Sequence, residues 1–299
     1  MAQSGWGMRL HPECLPCFLS TSLRAAALLD LPWDLRWRIA REVAKLAAEV
    51  PADWAPIQAG AAMQELVQRL VGGDLDPFAE VKKMANRRAL ELLPGLRRRL
   101  AAAPDPLEEA LRLAVAGNLI DFGVSDELDL EGVLRAAEGA SSHFHYADFR
   151  RALEGTRSIL YIGDNTGEIV FDRLVVEELL KRGKEVTFVV RSGPALNDAT
   201  LEDAEEVGLT GICRVIPSGT AMSGVFLPAA GPEFHRAFRE ADLVLSKGMG
   251  NFEGLSDVPG PIFFLLVAKC VPVARELGVG VGEVVFRRSR NFRPRAKAG

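Results

Sequence analysis

One turn of this chain places a carboxylate and a carboxamide side by side, at Asp164 and Asn165. The turn, residues 163–168, follows a short apolar run and precedes an amphipathic segment, an order that predicts a strand, a tight turn and a helix. Turns of this kind lie at the edge of a sheet, where ligands of α/β proteins usually bind. A carboxylate at the tip would repel a phosphate unless a cation lay between them. The turn therefore indicates a metal ion with an anionic ligand on its far side.

Polar residues also follow two later predicted strands. Asp198 follows the second strand, with Asn197 and Thr200 beside it. Right-handed crossovers place such loops at one edge of a parallel sheet, so we expect them to converge. Their oxygens suit magnesium or manganese, a lysine could neutralise a phosphoryl oxygen, and glycines would let backbone amides approach the same anion. The segment after the fourth strand supplies these residue types, at Lys247, Gly248, Gly250, Asn251 and Glu253.

Each of these residues also has a simpler structural interpretation. Asp164 and Asp198 could cap the helices that follow them, with Glu168 favouring a first helical turn. Capping and metal binding are compatible, because a carboxylate oxygen has more than one lone pair. Lys247 and Gly248 could form an ordinary turn. Convergence of three loops favours a ligand site more strongly than any one loop does.

A further polar pair lies in an otherwise apolar segment of the first half of the chain. Asn118 and Asp121 are three residues apart, so on a helix they share a face. Polar residues in such a place need partners. The pair could face a cleft between two domains, or it could hold a helix end.

The composition bounds the class of protein. The chain has 299 residues, of which 48% are hydrophobic and 25% charged, as in a globular protein of one large or two ordinary domains. A net charge of −4 and a pI near 5.7 argue against a general nucleic-acid binder. Because no secretory hydrophobic region follows Met1 and the longest apolar run is too short to span a bilayer, we expect a cytoplasmic protein without a membrane partner.

The apolar spacing changes near the middle of the chain. Up to about residue 147 apolar residues recur every three or four positions, which predicts helices. From about residue 157, short apolar runs alternate with helical segments, which predicts a mainly parallel sheet covered on both faces. The predicted strands are 158–162, 185–190, 212–216, 243–245 and 262–267, and the predicted helices between them include 168–181, 198–207 and 232–240.

Two of the four cysteines lie close together, at Cys14 and Cys17. Their spacing could serve a redox pair or half of a zinc site. A zinc site needs two more ligands with matching spacing and a thioredoxin-type motif needs a preceding strand, and the sequence indicates neither. We interpret the pair as a packing element in the first turn of a helix.

Five ordered segments resemble the damage-control phosphatase family, formerly called the domain-of-unknown-function-89 proteins. The Cys-x-x-Cys start resembles the prokaryotic-type branch of that family, and the resemblance extends from about residue 9 to 287. It implies an α/β fold with a helical N-terminal domain, residues 9–150, and a Rossmann-like α/β domain, residues 151–290. The segments are 13–17, 116–123, 163–168, 196–200 and 247–253.

The same resemblance implies roles for individual residues. A divalent metal (manganese, magnesium, cobalt or nickel) would be held by Asp164, Asn165 and Asp198. The substrates would be small phosphate esters, such as sugar phosphates or damaged phosphometabolites. The residues implied or expected to contact them are Asn118, Asp121, Asn165, Lys247, Gly248, Gly250, Asn251 and Glu253.

The expected mechanism is attack on phosphorus by a water molecule that the metal activates. The predicted catalytic residues are Asp164, Asp198, Lys247, Glu168 and Asp121, and the base could be Asp121, Glu168 or Glu253. Asp164 as a covalent nucleophile is a less favoured variant. Two other functions stay open: a carboxyl methyltransferase that uses S-adenosylmethionine, and a non-catalytic, metal-dependent binder of phosphometabolites. The first turn lacks the several glycines that an adenosyl ligand requires.

Overall fold

The computed structural model describes residues 7–73, 76–119 and 143–295. Asp121 lies outside these ranges. Within the described ranges, six helices come before the first strand, as the three-to-four spacing predicts: α1 (Cys14–Leu28), α2 (Trp33–Glu49), α3 (Pro56–Val71), α4 (Ala79–Ala102), α5 (Pro106–Leu119) and α6 (Tyr146–Glu154).

The second half of the chain alternates strands with helices. In chain order the elements are β1 (Ser158–Ile162), α7 (Glu168–Lys181), β2 (Glu185–Val190), α8 (Leu201–Glu206), β3 (Arg214–Pro217), α9 (Pro232–Glu240), β4 (Leu243–Lys247), α10 (Met249–Leu255), β5 (Ile262–Val267), α11 (Val271–Leu277) and β6 (Val284–Arg288).

The strands form one six-stranded sheet in the order β3-β2-β1-β4-β5-β6. The first five are parallel, and β6 pairs antiparallel with β5. This confirms the predicted helical N-terminal region and mainly parallel sheet. The chain moves outward from β1 to β3 and then returns to the other side of β1 at β4. Such a reversal leaves a crevice at the carboxyl ends of β1 and β4, where ligands of open sheets bind.

Apolar side chains cover both faces of the sheet. Helices α4 to α8 pack on one face, against residues such as Tyr161 and Leu245. Helices α9 to α11 pack on the other, against residues such as Leu160 and Val244. Helices α1 to α3 form a third, smaller cluster of their own around Ile39. The boundary predicted at residue 150 stays a prediction.

Several element boundaries differ from the predicted ones. Strand β4 runs two residues further than expected, to Lys247, and β3 lies slightly later than expected. The helix expected over 198–207 is Leu201–Glu206, because Asp198 is held in an isolated β-bridge with Asn165. The predicted strands did not include β6, and the predicted helices did not include α10 or α11. The four-residue spacing of Ile39 and Val43 illustrates the pattern that correctly predicted the long helices.

The capping interpretation of the two aspartates is wrong. Helix α7 begins after Gly167, whose amide donates a hydrogen bond of 2.8 Å to Oδ1 of Asn86 in α4. Helix α8 is capped by Thr200, in a reciprocal capping box with Asp203. Asp164 and Asp198 are thus left to other contacts.

Candidate active site

The turn after β1 and the loop after β2 meet at Asp164. The backbone carbonyl of Asp164 accepts a 2.9 Å hydrogen bond from the amide of Ala199, which joins the two loops. The Asp164 carboxylate oxygen Oδ2 accepts hydrogen bonds from the side-chain amides of Asn165 at 2.9 Å and Asn118 at 3.3 Å. Both donors come from carboxamides, and neither supplies positive charge.

The loop after β4 approaches the same carboxylate. Gly248 has φ +78°, and a Cβ atom at this position would lie 1.9 Å from Oδ2 of Asp164. Only a residue without a side chain allows this approach. A Cβ atom at Gly250 would likewise lie 2.0 Å from the carbonyl oxygen of Ser223. The structure therefore brings together the three loops that the strand pattern predicts.

Asp198 is buried, and both of its carboxylate oxygens have partners. Nε of Arg191 donates to Oδ2 at 2.6 Å, and the hydroxyl of Ser223 donates to Oδ1 at 2.7 Å. Each oxygen keeps a further lone pair that could bind a cation. Asp198 is thus fixed in position from two sides.

Arg191 is a residue of the site that sequence reasoning missed. It directly follows β2, is only 2% exposed, and also donates through Nη2 to the carbonyl oxygen of Gly163 at 3.3 Å and to Oδ1 of Asn251 at 3.1 Å. Its Nη1 is buried without a hydrogen-bond partner in the described part of the chain. The signal that could have found it is a charged residue immediately after a continuous apolar strand.

Lys247 has a different setting from the one predicted. Its three ammonium protons are directed to the carbonyl oxygen of Ala114 at 3.0 Å, to Oε1 of Glu168 at 2.5 Å and to Oδ1 of Asp172 at 2.7 Å. As the last residue of β4, it shares the face of Leu245, toward α5 and α7, because side chains alternate along a strand. An ammonium group has three donors, and none is left for a phosphoryl group.

Glu168 and Asn251 are also engaged within the protein. The second oxygen of Glu168 accepts hydrogen bonds from Asn118 at 2.7 Å and Asn165 at 3.4 Å. The side chain of Asn251 donates to the carbonyl oxygens of Gly163 and Lys247 and accepts from Arg191 and from the amide of Val225. These contacts favour positioning roles, and direct contact of either residue with a substrate stays a prediction.

Glu253 lies away from this cluster. Its side chain, on α10, lines a cavity together with Cys14 and Cys17 of α1 and with Cys270. Desolvation raises the pKa of the Glu253 carboxyl to about 8. The Cys14–Cys17 pair lies in the first turn of α1, as expected, with both thiols free and Cys17 exposed.

Burial and like charge dominate the electrostatics of the cluster. Desolvation, together with the charges of Glu168 and Asp198, raises the pKa of Asp164 well above its ordinary value, against the opposing charges of Arg191 and Lys269. Desolvation also raises the pKa of Asp198, which Arg191 and Ser223 oppose. Burial alone would lower the pKa of Lys247, but the carboxylates of Asp172 and Glu168 raise it.

The buried cluster holds more acidic than basic side chains. It contains four carboxyl groups (Asp164, Glu168, Asp172 and Asp198) and two cations, Arg191 and Lys247, so full ionisation of the carboxyl groups would leave an excess of two negative charges. The side-chain oxygen Oδ1 of Asn118 is also buried without a partner in the described residues. Both features fit a divalent cation. Across the described ranges, no three His, Cys, Asp or Glu side chains form a metal-ligating group, so the predicted set depends on Asn165 as its third donor.

Comparison with known proteins shows the family to which the chain belongs. The sequence profile of the damage-control phosphatase ARMT1-like domain matches residues 10–285. The chain belongs to the damage-control phosphatase family. This confirms the family that the five sequence segments suggest, whereas the branch proposed from Cys14 and Cys17 stays a prediction.

Full-length relatives of the family are similar along nearly the whole chain. A damage-control phosphatase of Archaeoglobus fulgidus is 35% identical, over 94% of this chain and 99% of the relative. Damage-control phosphatase PH1575 of Pyrococcus horikoshii is 36% identical, over 95% of this chain and 99% of the relative. The crystal structure of PH1575, a DUF89 family protein, superposes with a TM-score of 0.86 and covers 95% of this chain and all of that one. No helix in the described ranges is long and apolar enough to cross a membrane.

Proposed function

We propose that this chain is a phosphatase that hydrolyses small phosphate monoesters with the help of a divalent metal ion held by Asp164, Asn165 and Asp198. Membership of the damage-control phosphatase family supports the reaction class. One observation supports the site: two buried carboxyl groups from different loops converge in a cluster that has two more acidic than basic side chains. Manganese, magnesium, cobalt and nickel are the candidate ions, because the donors are oxygens of carboxylates and a carboxamide.

The chemistry that the ion would supply is neutralisation of the phosphoryl oxygens and acidification of a water molecule. The chain's own residues hold the donors in place. Arg191 and Ser223 fix the orientation of Asp198, and the carboxamides of Asn118 and Asn165 orient Asp164. Because phosphoryl transfer depends mainly on positioning and charge, such fixed donors are a large part of what the protein must provide.

A phosphoryl group also needs a cation that is accessible from solvent. Lys247 has no free donor, whereas Lys269 is exposed and follows β5 at the same edge of the sheet. Its positive charge acts on Asp164. Lys269 therefore takes, in this proposal, the phosphate-binding role that the sequence suggested for Lys247. Lys269→Gln is expected to raise KM for a phosphate ester, and Lys83→Gln, on an exposed face of α4, serves as its control.

The test is phosphate release from a panel of esters with each of the four metals and with a chelator. Asp164→Asn and Asp198→Asn are each expected to reduce turnover by at least about a hundredfold, the upper end of losses from residues that only support a metal ligand. Glu202→Gln, an exposed carboxylate on α8, is the matched control. Equilibrium dialysis with manganese should show loss of binding in the same two variants.

Unchanged turnover in a folded Asp164→Asn protein would contradict the metal site. Turnover that needs S-adenosylmethionine and no divalent ion would favour the methyltransferase alternative. Saturable binding of phosphate esters without release of phosphate from any of them would favour the non-catalytic one.

A further inference from the structure

An apolar cavity of about 280 Å³ lies between the first helices and the loops at the carboxyl edge of the sheet. Helices α1 and α3 form one wall, with side chains such as Phe18 and Met63. The opposite wall comes from the loops and from α10, with Leu196 and Met249. The Nε2 atom of Gln64 on α3 donates a 2.7 Å hydrogen bond to the carbonyl oxygen of Pro194, which joins the two walls.

This cavity shares a wall with the proposed metal site. Ser223 lines the cavity and also donates its hydroxyl hydrogen bond to Asp198. Gly250 lines the cavity too, and its Cα packs directly against the backbone of Ser223. A phosphate ester bound at Asp198 therefore has the cavity next to it, on the side of Ser223.

The backbone before Asp198 is strained in a way that shapes this wall. Leu196 has φ +51°, a left-handed conformation that is uncommon for a bulky residue that is not glycine. Such strain persists only where the surrounding structure enforces it, and it is concentrated at ligand sites. Here the strained residue lines the cavity and lies two positions before a proposed metal ligand.

The charge of the lining restricts what can enter. Among the described residues that line the cavity there is no Lys, Arg or His, whereas Glu13, Asp76 and Glu253 are present. Glu13 and Asp76 are already paired, with Arg275 at 2.9 Å and Lys82 at 3.1 Å, so an anionic substituent would lose its hydration and find no counter-charge in the lining. A polyhydroxylated sugar would find few partners, because most of the lining is apolar or sulfur-containing.

We propose that this cavity holds the organic part of the substrate, which is a phosphate monoester of an alcohol that carries an uncharged, apolar chain. This inference rests on the proposed function and names the substrate class for the same site. The raised pKa of Glu253 agrees with it, since a neutral carboxyl can lie beside an apolar chain at neutral pH without an unpaired charge.

The first experiment measures the binding of n-alkylphosphonates of increasing length, from ethyl to octyl, by calorimetry in the presence of manganese. Affinity is expected to rise roughly threefold to fourfold for each methylene until the cavity is full. The heat capacity change should become more negative along the series, because apolar surface is buried. A phosphonate with a terminal carboxylate should bind more weakly than the alkyl compound of equal length.

A cavity-filling variant tests the location. Gly60 lines the cavity from α3, and a Cβ atom there would have only Phe18 within 4 Å, at 3.9 Å. Gly60→Leu should fold, because leucine is a better helix former than glycine. It is expected to remove the gain in affinity with chain length, and so to weaken the binding of octylphosphonate far more than that of ethylphosphonate. Gly95→Leu, the same substitution on an exposed face of α4, should leave the affinity for every phosphonate of the series unchanged.

Cysteine modification provides a readout that does not depend on turnover. Cys14, Cys17 and Cys270 line the cavity, whereas the partly buried Cys213 does not. Octylphosphonate should slow the reaction of the three cavity thiols with N-ethylmaleimide several-fold, as resolved by mass spectrometry, and leave Cys213 unaffected.

The two proposals fail in different ways. Turnover of ethyl phosphate together with equal affinity for ethyl and octyl phosphonates would overturn the apolar substrate class and leave the phosphatase intact. No release of phosphate from any ester with any of the four metals would overturn the proposed function and this inference with it. Protection of Cys213 equal to that of Cys270 would place the ligand elsewhere and overturn the inference.

Discussion

Two groups of buried carboxylates lie close together in this protein, and they differ in how their charge is met. In the first, which we call the lysine cluster, Glu168 and Asp172 both contact the ammonium of Lys247, at 2.5 and 2.7 Å. In the second, the aspartate pair, Asp198 contacts Arg191 at 2.6 Å, whereas the guanidinium is 4.0 Å from Asp164. Among the described residues, the Asp164 carboxylate receives hydrogen bonds only from the carboxamides of Asn118 and Asn165.

The difference separates a structural group from a functional one. A buried charge is tolerated when a partner of opposite charge contacts it, and it is costly when none does. In the lysine cluster one ammonium contacts both carboxylates and joins β4 to α7, although Oδ2 of Asp172 has no hydrogen-bond partner among the described residues. The aspartate pair keeps one carboxylate short of a cation, and such unmet charge at a sheet edge is typical of a ligand site.

Removal of the cation from the lysine cluster should have the largest effect on the free energy of unfolding. Lys247→Met leaves Glu168 and Asp172 buried without their counter-ion, and we expect the free energy of unfolding to fall by about 3–5 kcal/mol. Urea denaturation measures it. The double variant Lys247→Met with Asp172→Asn should recover part of the loss. A loss near zero in the single variant would show that the cluster is not structural.

Supply of a cation to the aspartate pair should stabilise the protein. At a manganese concentration about a hundredfold above its dissociation constant, the gain in unfolding free energy should be roughly 2.7 kcal/mol. Asp198→Asn should remove this gain, whereas Glu202→Gln should keep it. Thermal unfolding with and without chelator measures the difference. Equal stabilisation of the wild type and Asp198→Asn would place the bound ion elsewhere.

Loss of one neutral hydrogen-bond donor to the aspartate pair should lower the free energy of unfolding by a smaller amount. Ser223→Ala removes the 2.7 Å hydrogen bond to Asp198, and we expect a loss of about 2 kcal/mol, within the range for a bond to a charged group. Ser246→Ala is the control, because the buried hydroxyl of Ser246 has no hydrogen-bond partner among the described residues. Urea denaturation of both variants tests this, and equal losses would contradict the role given to Ser223.

Glu253 has no counter-ion among the described residues, and its titration should have the smallest effect on the free energy of unfolding because the residue keeps some exposure. Its pKa is raised from 4.5 to about 8 by desolvation, so the folded state binds this proton more tightly than the unfolded state does. Its contribution to stability is therefore present below pH 4.5 and lost as the pH rises toward about 8. Unfolding of wild type and Glu253→Gln across this window should show a steeper decline in the wild type. Parallel curves would contradict the raised pKa.

The strand pattern predicted much of the site because burial on both faces leaves a clear signal. The limits predicted for β1, β2 and β5 match the structure, and with them the positions of Asp164 and Asp198 at one edge. The short elements were missed for physical reasons. Helix α10 has seven residues, two of them glycines, and forms because its neighbours hold it rather than from its own propensity. Strand β6 ends in two arginines, so its sequence is typical of a charged tail.

The direction of a side chain was harder to predict than its position. The strand pattern predicts the correct edge of the sheet for Lys247, but as a loop residue. Because β4 extends two residues further than predicted, Lys247 is a strand residue whose side chain faces α5 and α7. Arg191 was missed because a single arginine after a strand usually lies in solvent. Both errors concern which carboxylate a long basic side chain contacts. That depends on tertiary contacts, which the spacing of residues in the sequence does not encode.

Asn86 connects the two loops of the aspartate pair to a helix that supplies no ligand. Its side-chain oxygen accepts from the amide of Gly167, and its side-chain nitrogen donates to Asp203 at 3.1 Å and Glu206 at 2.7 Å on α8. One carboxamide on α4 thus secures the turn after β1 and the helix after β2 together. Coupling of this kind is reciprocal. If the aspartate pair binds an ion as proposed, ion binding should stabilise α4, and substitution of Asn86 should weaken ion binding although Asp164, Asn165 and Asp198 are unchanged.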